Sequence, residues 1–387
     1  MSRLSRRRFA AIAAQLAFAG FAIPAALVRA VEQGKEFKTP DDLFDAYTNG
    51  SADGTAGHNL VAGRVTEEDY DGGDSLFKAY SEGAEGPKFE PGKLDQVLGD
   101  LEFDRFAEAA PNLIGSGKGK ISLNFKNVLY FDPLFYNLAQ ATLDCTSFGT
   151  AGAIDGTRTW EIICGKEPEQ WVVRGATEGI YGARGFSGGG MDPARAAEWV
   201  HSEGGVLLRQ KYGSIDLTTY NGSLGKSWGG RGVPRELVAA AAEHRVDKIA
   251  LIRSVAEARD ALANGYCLSV GSGYGFTRVR DKNGFCRRSK GWNHCMHFHS
   301  CDDVTFGECV FGVGNSWGDY VSGGHPPWGP LPTSSFLVHE EDAAGMIAAR
   351  GCWAFSLVNG WQARELKTFG TQDYSWRVVR MLFNAFV

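Results

Sequence analysis

The chain has 387 residues, 43% of them hydrophobic, enough for the core of one large domain with extensions or of two domains. A formal net charge of -5 excludes the global basic field that holds nucleic acid. With 51 glycines and 12% aromatic residues, the composition predicts a loop-rich α+β fold rather than a helical bundle.

Residues 1–30 stand apart. Ser5-Arg6-Arg7-Arg8-Phe9 precedes an Ala-rich apolar run from Ala10 to Val28 that lacks acids, and Val28-Arg29-Ala30 places small residues where a signal peptidase reads. The layout resembles a bacterial twin-arginine export signal with Arg6 and Arg7 as the pair, and predicts an exported protein. The competing expectation is an uncleaved amphipathic or membrane-anchoring helix. No later run is long enough to span a bilayer, so stable membrane insertion beyond this segment is not expected.

Residues 31–115 carry 19 acidic against 7 basic side chains, with short apolar clusters separated by Asp-Gly and Gly-Gly turns. This composition predicts an acidic leader, either poorly ordered or a pro-segment lying across a site in the domain C-terminal to it. Residues 116–387 are nearly neutral and form the third expected unit.

In that unit Ile121–Phe125 alternates like a strand and an aromatic loop comes next over Tyr130–Tyr136. Beyond Cys145, Phe148, Ala151 and Ile154, then Trp160 and Ile163, recur at helical spacing, with Gly149, Gly152 and Gly156 near one face. Glycine weakens a helix, so three on one side predict close packing in a crowded core. Cys145 falls at the helix N-terminus, where the partial positive charge favours a thiolate. Asp192-Pro193 starts another helix, and Val206–Leu208 reads as a short strand. Further helices are expected over Pro234–His244, after Ser254 with Glu257 completing a capping box, and over Glu340–Arg350. Strands are expected over Lys248–Ile252, Tyr266–Val270, Ser335–His339 and Cys352–Ser356, and an apolar segment, Arg377–Phe386, closes the chain.

The organising stretch is Gly291–Gly318. It reads as a two-strand hairpin with His294 where one strand begins and Asn315 where the other ends, so the two ends meet. An imidazole beside a carboxamide is half of a hydrolytic site. The missing half is a nucleophile, and Cys145 at its helix N-terminus supplies one. Chain order is then Cys145, His294, Asn315: thiol, base, and the group that holds the base's tautomer and ring plane.

On these residues the chain resembles the papain-like cysteine peptidases. Asn315-Ser316-Trp317-Gly318 is similar to that family's Asn-Ser-Trp-Gly block, whose tryptophan shields the histidine–asparagine hydrogen bond from water. Asn293-His294 matches its histidine, and Gly188-Gly189-Gly190 before a helix resembles its substrate-pairing Gly-Gly segment. Gly265-Tyr266-Cys267-Leu268-Ser269-Val270 resembles the strand entering its β-rich half. The resemblance covers about 120–360 by motif order. It implies an α+β two-lobe fold with the site in the cleft, peptide or protein substrates, and no cofactor or metal. It also implies an oxyanion site made by the Cys145 amide and Gln140, and substrate contacts at Gly189, Gly190 and Trp317. Two departures are plain: Thr146-Ser147-Phe148 stands where the family has Trp-Ala-Phe, and Gln140 lies five residues before the cysteine instead of six.

Four other expectations compete. Gly351-Cys352-Trp353-Ala354-Phe355-Ser356 mimics the nucleophile motif, but it comes after the asparagine and would require a circular permutation. Cys295, His297, His299 and Cys301 share one strand face and, with Cys286 or Cys309, offer zinc-binding atoms, although consecutive same-face positions span too far for one tetrahedral ion. The departures also fit a catalytically weak papain-like module that serves as a binding or structural component of a secreted or particle-associated assembly. A different acyl transfer, such as peptidoglycan amide cleavage or transglutamination, uses the same residues. Eight cysteines, one of them assigned as nucleophile, argue against a fully paired disulfide framework. Cys295, Cys301 and Cys309 lie near enough together for one bridge, with the pairing open.

Overall fold

The computed structural model describes residues 103–364 apart from 133–134, 138, 165–173, 290–291 and 319–320. The export-signal segment, the acidic leader up to residue 102 and the apolar C-terminal segment lie outside the described residues.

The packed unit begins earlier than the expected boundary at residue 116. Helix α1 (Phe106–Ala109) and the turn after it bury Phe106, Ala110 and Leu113 in the main core, and Leu251 donates its amide to Asp104. Local charge groups these residues with the leader, but burial of their apolar side chains places them in the body.

The body is α+β. One all-antiparallel sheet has the order β10–β8–β7–β5–β11–β4: Ser335–Val338, Val310–Gly314, His294–Asp302, Leu268–Ser272, Cys352–Ser356 and Lys248–Ile252. Strand β1 (Ile121–Leu123) adds to the far half of β7, pairing with Ser300–Asp302. Strand β7 therefore exchanges neighbours midway: its first half pairs with β5 and its second with β1, and its pairing to β8 shifts register between Phe298 and Ser300. Such an irregularity bends the strand, here between its two partners.

Against this sheet lies α3 (Cys145–Ile163). A Cβ on Gly149 would stand 2.7 Å from the Met296 carbonyl oxygen and 2.8 Å from Cys295 Sγ. One on Gly152 would stand 2.9 Å from the His297 ring, and one on Gly156 2.6 Å from Cys267 Sγ. The helix tolerates three glycines because the strands occupy the space their side chains would fill.

Beyond α3 the chain forms α4 (Thr177–Gly182), α5 (Pro193–Glu198), α6 (Gly222–Gly229) and α7 (Arg235–Ala242), with a small hairpin of β2 (Lys211–Tyr212) and β3 (Ile215–Asp216). Asp192 caps α5 by accepting from the Ala194 amide, as Asp-Pro predicts. Helix α8 (Val255–Ala263) has the expected Ser254 cap on the Glu257 amide, but the Glu257 carboxylate accepts from Arg253 N–H instead of closing the box on Ser254. Helix α9 (Glu340–Arg350) and strands β4 and β11 lie where their patterns put them. Strands β6 (Val279–Arg280) and β9 (Ser322–Gly323) pair apart from the main sheet.

Three expectations fail locally. Helix α2 (Phe125–Phe131) takes in Tyr130 and Phe131, the first two residues of the segment expected as a loop, because it packs on α3. Val206–Leu208 forms no strand and makes only a bridge from Leu208 to Gly175. Strand β5 begins at Leu268, two residues later than expected, because Tyr266 still donates its amide to Ala261 in the turn that ends α8.

Candidate active site

Cys145 is the first residue of α3 and 5% exposed. Asp144 before it closes the turn through its carbonyl, which accepts from the Ser147 and Phe148 amides. The Cys145 thiol packs with Cys295 at the start of β7, and Leu143 and Trp317 lie against the pair. The glycine spacing of α3 sets this position, since it lets the helix N-terminus run down onto the strand that begins with His294.

His294 and Asn315 meet as the hairpin predicts. His294 Nε2 is 2.8 Å from Asn315 Oδ1. The roles in this bond are set by a third group. The backbone N–H of Ser316 donates to the same Oδ1 at 2.7 Å, and a backbone amide can only donate, so that atom is the carbonyl oxygen. His294 must then carry its proton on Nε2, which leaves Nδ1 as the basic nitrogen. Trp317 stacks on the imidazole with centroids 4.4 Å apart, and Trp292 meets it edge-on at 5.6 Å. Burial between these indoles holds the His294 pKa down at about 4, against the smaller upward pull of the Asn315 bond. The ring is a neutral base throughout the neutral range.

Burial keeps five of the other cysteines protonated. Burial pushes Cys267 and Cys286 up to about 12 and raises Cys295, Cys301 and Cys352 as well. Cys352 is fully buried in β11, between β5 and β4, where no substrate reaches it.

Gln140 is tied into the site by both ends of its amide. Its Oε1 accepts from Ser316 Oγ at 2.6 Å, and its Nε2 donates to the Thr142 carbonyl at 2.7 Å. Its backbone amide donates to Ser316 O, and Ala139 bridges to Trp317. Ser316 therefore joins the loop before Cys145 to the Asn315–His294 pair. Gly189 sits against Leu143, where a Cβ would be 2.4 Å from Cδ1, and the Gly190 amide donates to Leu143 O at 3.1 Å. The glycine segment thus borders the approach to Cys145.

Residues that the sequence left unmarked also shape the site. Tyr220, at the entrance to α6, donates its hydroxyl to Asp144 Oδ2 at 2.8 Å and accepts from the Ala141 amide at 3.0 Å. One phenol thus clamps the Gln140 loop to the residue before Cys145. Asp144 is fully buried, and burial pushes its carboxyl up to about 8 against the Tyr220 bond. Nothing in the local pattern marks Tyr220, whose partners lie 76 and 79 residues away.

The other polar side chains of β7 have packing partners of their own. His297 lies between Gly152 and Gly314 and stacks on Tyr136 at 5.8 Å. His299 Nε2 meets Ser335 Oγ at 3.0 Å, Cys295 Sγ meets Ser269 Oγ at 3.4 Å, and Cys301 meets Cys309. Each has its own neighbours, and no three possible ligands gather among the described residues. A small pocket of about 40 Å³ is lined by Phe148, His297 and Asn315 among others. Neither Cys145 nor His294 lines it.

No family model matches the sequence, and no curated protein is significantly similar to it. Solved structures do resemble it. Xylellain, a cysteine protease from Xylella fastidiosa, is 16% identical, with 56% of this chain and 80% of that one covered and a TM-score of 0.38. Digestive procathepsin L 3 of Tenebrio molitor larval midgut is 12% identical over 85% of this chain and 96% of that one, with a TM-score of 0.41. The bromelain protease from Ananas comosus in complex with the E64 inhibitor is 14% identical over 57% of this chain and 93% of that one, at 0.34.

Proposed function

We propose that the protein is a papain-like cysteine peptidase that hydrolyses peptide (amide) bonds through an acyl-enzyme. The observation that carries this reading is the His294–Asn315 pair, locked in one tautomer by the Ser316 amide and roofed by Trp317. His294 Nδ1 takes the Cys145 proton, and the thiolate attacks the carbonyl carbon of the scissile bond. The Cys145 amide, with Gln140, stabilises the oxyanion. His294 gives its proton to the leaving amine. It then takes a proton from water, which attacks the thioester and releases the acid and the thiolate. Gly189 and Gly190 align the peptide as an added strand. Residues 1–30 deliver the protein for export and residues 31–115 form an acidic leader whose last part, Phe106 to Leu113, packs into the catalytic unit.

The experiment compares hydrolysis of a broad peptide library by the wild type and by Cys145→Ala. Turnover by the wild type with loss in the variant supports the reading. Equal turnover in both overturns it.

A second reading, a catalytically weak module that binds peptides or a partner, is favoured by one observation. The Gln140 amide oxygen and nitrogen are both engaged by Ser316 and Thr142. Peptide binding without cleavage by the wild type selects this alternative.

A further inference from the structure

We infer that Cys301 and Cys309 form a disulfide that staples the tip of the β7–β8 hairpin when the protein meets a disulfide oxidant. Their sulfurs are 3.3 Å apart, and both side chains are buried, at 2% and 3% exposure. The hairpin register makes the two cysteines diagonal neighbours, since Asp302 pairs with Val310 and Cys301 with Phe311. A disulfide spans about 2.05 Å, so the sulfurs need to close by only about 1.3 Å, within the reach of side-chain rotation.

The surrounding bonds hold this register independently of the sulfurs. Asp302 Oδ1 accepts from the Val304 and Thr305 amides at 2.9 Å, and Asp302 Oδ2 accepts from Trp328 Nε1 at 3.0 Å. The Cys309 amide donates to Glu340 Oε2 at 3.1 Å. The thiols are therefore brought together by the fold, which is the condition under which a bridge forms without native-state strain. A metal is the other common reason for two adjacent thiols. It fails here, because no third possible ligand joins them among the described residues.

The chemistry is thiol–disulfide exchange with an external disulfide of the glutathione type. One cysteine thiolate attacks the oxidant and releases one of its sulfurs as a thiolate. The second cysteine thiolate attacks the mixed disulfide and releases the other. Two thiols lose two protons and two electrons, and one disulfide is reduced to two thiols. The residues between the cysteines include exposed Val304, Thr305 and Gly307, so local opening of the tip gives the oxidant access.

The bridge lies at the opposite end of the hairpin from His294 and Asn315. It is thus independent of the proposed peptidase chemistry, and its failure leaves that chemistry untouched. The full chain is equilibrated with oxidised glutathione and unfolded in denaturant, so that burial protects no thiol. Free thiols are then alkylated and the peptides mapped by mass. The expected result is a cross-linked Cys301–Cys309 pair, two hydrogens lighter and unalkylated. The oxidised wild type melts a few degrees above the reduced form, and Cys301→Ser shows no such difference. Alkylation of both cysteines, a stable glutathione adduct on either, or pairing with any other cysteine overturns the inference.

Discussion

Replacing Gly149 by alanine tests the close packing of α3 on β7 near the end of the helix that carries Cys145. In an open helix this change stabilises by about 1 kcal/mol. Here the new methyl would lie 2.7 Å from the Met296 carbonyl oxygen and 2.8 Å from Cys295 Sγ. Backbone cannot turn aside, so α3 and β7 must separate by several tenths of an ångström, and overpacking of this kind costs about 1–3 kcal/mol. The net expectation is a loss of about 0–2 kcal/mol. Function suffers more, because Cys295 and Met296 come directly after His294. A misplacement near 1 Å costs about a hundredfold in rate, so a fraction of that costs about tenfold in kcat/KM. Gly156→Ala is the control: it meets the Cys267 side chain at 2.6 Å, about two turns further from the site, and lowers stability without changing kcat/KM. Thermal unfolding and peptide hydrolysis read both variants. A Gly149→Ala protein about 1 kcal/mol more stable and fully active would refute the packing account.

The site makes further commitments. Asn315→Ala frees the imidazole to rotate and change tautomer, and lowers kcat by about 10- to 1,000-fold with little change in KM, measured by steady-state kinetics. Activity persists down to the pH where His294 protonates, near 4, so an acid limb at the ordinary histidine pH of 6.5 would contradict its burial. Tyr220→Phe removes the clamp on Asp144 and Ala141 at a cost of about 1–2 kcal/mol, and lowers kcat more than it raises KM. Asp144 holds its proton in the folded chain up to about pH 8, whereas the unfolded carboxyl ionises near 3.8. The unfolded state therefore binds fewer protons between those values. This group's contribution is full below 3.8 and is lost as pH rises towards 8, at about 1.4 kcal/mol per pH unit. Asp144→Asn keeps the shape without the titration, so denaturant unfolding of the variant between pH 6.5 and 8 loses less stability than that of the wild type.

Much of this site is legible because its pieces are local. A histidine opening one strand and an asparagine ending the next meet through hairpin geometry alone, and α3 announces itself by spacing. Its glycines also mark a tight interface. What stays hidden depends on residues far apart in the chain. Tyr220 carries no local signal, and its role exists only because α6 brings it to Asp144. Strand β7's change of partner from β5 to β1 is invisible to a period-two pattern, which fixes faces but not neighbours. Tyr130–Tyr136 misleads because a short aromatic run fits strand, loop and helix alike, and the packing of α2 on α3 carries the helix into its first two residues. Residues 103–115 group with the leader on charge, although Phe106 and Leu113 carry the decisive apolar signal.

The most direct measurement of the central claim is the rate at which iodoacetamide alkylates each cysteine of the folded protein, resolved by peptide mapping, in the wild type and in His294→Ala. The expected result is that Cys145 reacts fastest in mildly acidic solution and that its rate falls by about tenfold or more in the variant, while the other cysteines keep theirs. Alkylation of Cys145 at the rate of the other cysteines, or at a rate indifferent to His294, would contradict it.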